Sequence, residues 1–140
     1  MFNVDWKRRK ADVPADRIFE FTEREIADQF REDNKPAFAL LTELPCVFCT
    51  EGISAEIAYT GRIDRARLVG KQISLEISLD ADVPPLKNSL LYANRTDLDM
   101  PEAFEFSRNH WAVKNVDLYR FLLRNVRPRR QLPVVFHIAE

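Results

Sequence analysis

The chain has 140 residues, 46% hydrophobic and 31% charged, with a formal net charge of −1 and two cysteines. That length and balance fit one globular domain over residues 1–140, with a core that needs neither disulfides nor metal. No apolar run approaches the ~20 residues of a membrane span, and near-neutral charge gives no overall basic field to recruit nucleic acid.

The amino-terminal charges, Lys7 to Lys10, follow the few apolar residues with no apolar stretch behind them. This is not the pattern of a secretory signal, and a cytoplasmic location is expected. Glycine occupies only three positions, too few for the phosphate-cradling loops that depend on it.

Along the chain, Thr22-Glu23-Arg24-Glu25 has the letters of a capping box, with Phe21 and Ile26 placed as a hydrophobic staple. The helix it predicts starts at Glu23, buries Ile26, Ala27 and Phe30, and stops before Pro36. Residues 17–21 fit either a short strand or an extra helical turn. Residues 37–42 and 46–50 are apolar and read as strands, with Pro45 marking an edge or bulge. After a turn at residues 51–54, residues 55–63 return as a strand with a bulge at Gly61, and residues 62–67 form a charged edge or loop. Residues 71–80 alternate with period two. Ile73, Leu75, Ile77 and Leu79 face one way, and Gln72, Ser74, Glu76 and Ser78 the other, an antiparallel strand with one wet face.

Beyond Pro84-Pro85 the pattern becomes helical at residues 86–93. Asp99 to Glu102 carries the signals of a second helix start. A third helix is capped by Asn115, with Asp117 in its first turn and an apolar stripe of Val116, Tyr119, Leu122, Leu123 and Val126. Pro128 ends it, and residues 132–138 read as a closing strand. The expected class is α+β: an antiparallel sheet of about five strands, open or barrel-like, with three or four short helices. The element order resembles small barrels such as the PUA-like group, which bind nucleic acid or modified bases. The resemblance is one of topology and carries no residue across.

Cys46-Val47-Phe48-Cys49 has redox or half-zinc spacing, but no second pair exists and the only histidines are His110 and His137. Residues three apart on a strand point to opposite faces. The apolar flanks therefore suggest buried, reduced thiols, with no metal and no cofactor expected.

The densest chemistry lies in residues 108–117, where Arg108, His110, Trp111, Lys114 and Asp117 crowd between two helices. His110 has the chemistry of an acid-base, Lys114 of an electrostatic clamp and Trp111 of a stacking platform. The plainer assignment makes Trp111 and Val113 core and Asp117 a helix-dipole partner. Arg120, Arg124 and Arg127 follow i, i+4, i+7 spacing, with Arg129 and Arg130 beyond, a stripe suited to phosphates or simply to solvent. No acid-x-Lys pair sits on a strand, and no G-x-S-x-G elbow occurs.

These residues point to a binding module for nucleic acid or a phosphorylated small ligand, using Arg108, His110, Trp111, Lys114, Arg120 and Arg124. The alternatives are a small metal-free nuclease or toxin, with His110 as acid-base beside Lys114, and a protein-interaction or regulatory domain. If His110, Trp111 and Lys114 share one solvent-lined concavity, the binding and nuclease readings stand; if they are scattered or buried, both weaken together.

Overall fold

The alternation of Ile73, Leu75 and Ile77 sets the centre of the structure, because burying one face of that strand fixes the register of its neighbours. A computed structural model describes residues 5–126, residue 135 and residues 137–139. In chain order they form β1 (Lys10–Pro14), α1 (Arg24–Gln29), β2 (Arg31–Glu32), β3 (Lys35–Pro36), α2 (Phe38–Leu41) and β4 (Pro45–Phe48). Then follow β5 (Ile57–Val69), β6 (Gln72–Leu79), β7 (Leu86–Lys87), α3 (Asn88–Ala93) and α4 (Leu118–Asn125). Short 3-10 turns occupy Trp6–Arg8, Ala15–Arg17 and Ala103–Ser107.

The main sheet runs β1-β6-β5-β4, with β7 pairing the start of β5, and every pair is antiparallel. It curls into a half-barrel, and the α+β class holds. Ile73, Leu75 and Ile77 are buried at 0, 4 and 3% exposure, as the alternation requires. β5 is 13 residues long and continues straight through the charged residues 62–67, which are strand rather than loop. Its bulge lies between Ile63 and Arg65, not at Gly61. Gly61 answers a different need: a Cβ there would fall on the carbonyl oxygen of Ser78. Pro45 opens β4, an edge strand, where its missing N–H costs no ladder bond.

The two edges, β1 and β4, are linked by Trp6. Its indole N–H donates to the Cys49 carbonyl at 3.0 Å, and its ring packs against Phe48 at 5.0 Å between centroids.

Several local expectations give way to tertiary demands. The capping box does not form, because Thr22 Oγ1 accepts the distant Val113 N–H at 2.9 Å and donates to the Glu20 carbonyl. Helix α1 ends at Gln29, and the β2–β3 hairpin follows. Its turn residues, Asp33 and Asn34, adopt left-handed φ of 49° and 60°, the conformation that a tight two-residue turn demands. Residues 38–41 form helix rather than strand, consistent with the helix preference of Ala39, Leu40 and Leu41. The expected helix at residues 86–93 begins with two strand residues, and the element after Pro101 is a 3-10 turn.

Helix α4 is capped by Asp117, whose Oδ1 accepts the Arg120 N–H at 3.1 Å, not by Asn115. Its buried face is accordingly Leu118, Phe121 and Leu122, while Leu123 is 85% exposed and Tyr119 half-exposed. The closing strand expected at residues 132–138 lies mainly outside the described residues; Val135, His137 and Ile138 are exposed and in no strand.

The core has three clusters. One joins Ala58, Leu86 and Leu91 to the buried face of α4. A second lines the inside of the sheet with Val13, Phe48, Ile63, Ile73, Leu75 and Ile77. The third holds Phe19, Ala27, Leu41 and Val113, and Trp111 packs against both the second and the third.

Urea denaturation checks these assignments. Leu75→Ala and Leu122→Ala should each cost about 2–5 kcal/mol, whereas Leu123→Ala should change stability by less than about 0.5 kcal/mol. A large loss at Leu123 would show that α4 is rotated from this placement.

Candidate functional site

The polar segment between α3 and α4 is held in place by a second segment some ninety residues away in sequence. The Trp111 N–H donates to the Arg17 carbonyl at 3.2 Å, and the Phe19 N–H donates to the Trp111 carbonyl at 2.7 Å. Ile18 and Trp111 form a parallel bridge. Arg17 Nη1 donates to the Asn109 carbonyl at 3.3 Å. Arg108 grips Glu20 with two parallel bonds, Nε to Oε2 and Nη2 to Oε1, each 2.9 Å. Such a bidentate fork fixes orientation as well as charge. Phe19 and Phe21 accept left-handed φ of 65° and 53° within this ladder, a conformation that bulky side chains adopt only when their surroundings enforce it.

At its centre is Glu105, 3% exposed, on the Ala103–Ser107 turn. The Lys114 ammonium lies 3.0 Å from its Oε1 and 3.2 Å from its Oε2, and also donates to the Phe21 carbonyl at 2.5 Å. His110 Nε2 is 3.2 Å from the same Oε1, and His110 Nδ1 is 2.6 Å from the Arg108 carbonyl. The edge of Phe21 closes over the imidazole at 4.9 Å between centroids. Both nitrogens of His110 are thus engaged.

This cluster forms one wall of a cavity of about 490 Å³. The inner face of the sheet, β4 and the α1–α2 region supply the other walls, with Val13, Leu75, Phe48, Ile26 and Leu41 among them. Arg108, His110, Trp111 and Lys114 all line it, so His110, Trp111 and Lys114 border one concavity, although the side chains of His110 and Lys114 are only 10 and 16% exposed. Trp111 is a half-buried wall residue packed on two core clusters. Arg120 and Arg124 lie apart from the cavity, exposed on α4. Arg127, Arg129 and Arg130 lie outside the described residues.

Cys46 packs, with Phe48, in the cluster that lines the sheet, whereas Cys49 packs, with Val47, against the cluster that includes α4, so the two thiols serve different clusters as strand alternation expects, although both residues border the cavity. Both residues are partly exposed, yet desolvation pushes the thiols up to about 11 for Cys46 and about 12 for Cys49. Among the described residues no group of three or more His, Cys, Asp or Glu could hold a metal ion, and no helix is long and apolar enough to cross a membrane.

Glu105 and Glu20 are the functional-site residues that sequence reasoning missed. Each acid stands alone in its local pattern, and its cationic partner is identified only by the fold. Comparison with known proteins finds no matching family model, no matching curated protein and no matching solved structure.

Two measurements probe this chemistry. Hydrogen bonding from Arg108 holds the Glu20 carboxyl below its usual range, against the opposing effect of burial. Its stabilisation is present above the unfolded value of about 4.3 and is lost as pH falls through the lower folded value. Wild type should therefore lose more urea resistance than Glu20→Gln between about pH 6 and about pH 3; equal losses would show that the fork contributes nothing. The thiols should also resist alkylation at about pH 8 in the folded chain and react fully once it is denatured.

Proposed function

We propose that the chain is a binding module that takes one small, mostly apolar ligand into the cavity beneath the half-barrel. The observation that carries this reading is the cavity itself. Its volume of about 490 Å³ falls within the roughly 300–1,000 Å³ of small-molecule sites, and apolar walls with a few convergent polar groups are their usual lining.

A small ligand suits this site better than nucleic acid does. Arg108 and Lys114 already have acid partners in Glu20 and Glu105, which leaves no concave basic surface for a polyanion. Within the expected phosphate-binding set, only Arg120 and Arg124 offer exposed cations without an ion pair among the described residues. A nuclease is disfavoured for a related reason. With both ring nitrogens of His110 engaged, neither is free to face a substrate proton. An interaction domain without a chemical site gives no account of the cavity.

Trp6 and Trp111, the only tryptophans in the chain, both line the cavity, so intrinsic fluorescence reports its occupancy. Titration with the neutral apolar dye N-phenyl-1-naphthylamine should quench tryptophan emission saturably, at one dye per chain, while urea resistance rises with dye concentration. Absence of saturable binding by the folded chain would overturn the proposal.

A further inference from the structure

We infer that the outer face of the sheet, opposite the cavity, binds the phosphate backbone of double-stranded nucleic acid. The strand register assembles this face from three strands. Lys10 of β1, Glu76 of β6 and Arg65 of β5 form one row, and Asp12, Ser74 and Arg67 form the next. Side chains alternate along a strand, and Val13, Ile73, Leu75 and Ile77 line the inside. These two rows therefore point the other way.

Arg65 and Arg67 reach this face because of the bulge in β5. Ile63 is core, 4% exposed, and unbroken alternation from it would turn both arginines inward. The register shift between Ile63 and Arg65 puts Ala66 opposite Leu75 instead, and leaves Arg65 and Arg67 exposed. A bulge re-aims side chains in this way. Here it sets two cations on the outer face, about 6.8 Å apart at 3.4 Å per residue.

The amino-terminal arm extends the patch, because the basic run Lys7 to Lys10 is folded against the edge of β6. Asp5 Oδ1 accepts the Lys7 N–H at 3.1 Å, and Arg9 turns the chain with a φ of 59°. The Arg9 carbonyl then accepts the Ile77 N–H at 2.9 Å, and Trp6 anchors the arm on Cys49 and Phe48. All four basic residues are exposed. Together with Arg65 and Arg67 they make six cations, against the three acids Asp5, Asp12 and Glu76, on a chain whose net charge is −1. Among the described residues only Arg8 of the six has an ion pair, with Asp5 at 3.8 Å, and both side chains are well exposed. Further along β5, Arg62 bonds Tyr119 and faces Asp80, while Asp64 accepts from the Ser78 hydroxyl. That corner takes one charge from the surplus of three and leaves the face positive. A basic face on an otherwise acidic chain is the electrostatic footprint of a nucleic-acid binder.

The uncharged residues select the partner. Gln72, Ser74 and Ser78 offer hydrogen-bonding groups that suit phosphate oxygens, and Val69 stands only at the hairpin end. None of the paired residues on this face is aromatic, so the stacking platform used for single strands is missing. What remains is contact with a duplex backbone, independent of base sequence.

The test follows the fluorescence anisotropy of a labelled DNA duplex of about 20 base pairs, titrated with the full chain. The duplex should bind at about 50 mM salt. With about four phosphates neutralised, affinity should fall about a hundredfold by about 200 mM. Arg65→Gln combined with Arg67→Gln should weaken binding by at least about tenfold and flatten the salt slope by about two. Urea resistance should stay unchanged in that variant, since both side chains are exposed. Arg120→Gln combined with Arg124→Gln, on α4, should leave affinity within about twofold of wild type. Absence of duplex binding at low salt would overturn the inference, even if phosphatidylserine vesicles bind. Affinity indifferent to salt, a loss carried by the α4 pair instead, or tighter binding of the corresponding single strand would each overturn it as well.

Discussion

A carboxylate closed off from water has to be neutralised where it stands, and around Glu105 that requirement organises the rest of the site. It draws Lys114 and His110 inward from positions nine and five residues later. In doing so it folds the chain between the Ala103–Ser107 turn and α4 back on itself. The backbone of that loop is then presented edge-on to residues 17–22, which take up its hydrogen bonds. Truncating one member of such a group strands the others, so the three side chains hold together as a unit.

The cavity follows from the way the sheet ends. A sheet of this size curls without closing, and its two edges, β1 and β4, are short and proline-marked, at Pro14 and Pro45. Proline is poorly suited to recruiting a further strand. Trp6 spans from one edge to the other, while α1, α2 and the Glu105 loop cover the open side. The covering elements meet the sheet with aromatic and aliphatic side chains but do not fill its concavity. A partly open, mainly apolar space is the outcome, bordered by the Glu105 cluster and by Arg108, Asp12 and Glu51.

How legible all this was in the sequence depended on the range of the interactions. β6 could be read because its alternation needs nothing beyond the strand itself and one buried face. The outer half of β5 could not, because Arg62, Asp64, Arg65 and Arg67 are solvent-exposed and leave no two-fold pattern to detect. Thr22 had the right neighbours for a cap, but a backbone donor ninety-one residues away claimed its hydroxyl. The same rule applies to the site. Arg108, His110, Trp111 and Lys114 stood out because they are crowded into one short stretch. Glu105 and Glu20 did not, because an isolated acid becomes informative only once its partner is beside it in space. The arginine stripe on α4 was legible as spacing alone, and spacing does not specify what lies opposite.

The ladder joining residues 17–22 to residues 108–114 also bears on the order in which the chain acquires its structure. The β5–β6 hairpin closes over a two-residue turn and can form early, at little entropic cost. The ladder must close a loop of about ninety residues, and contacts of that separation are gained late in folding. A nascent or partly unfolded chain can therefore possess its central sheet and still lack the cavity. On the proposed reading, ligand capture would be a property of the completely folded molecule, and an occupant that stabilises the ladder would lock the two halves of the chain together.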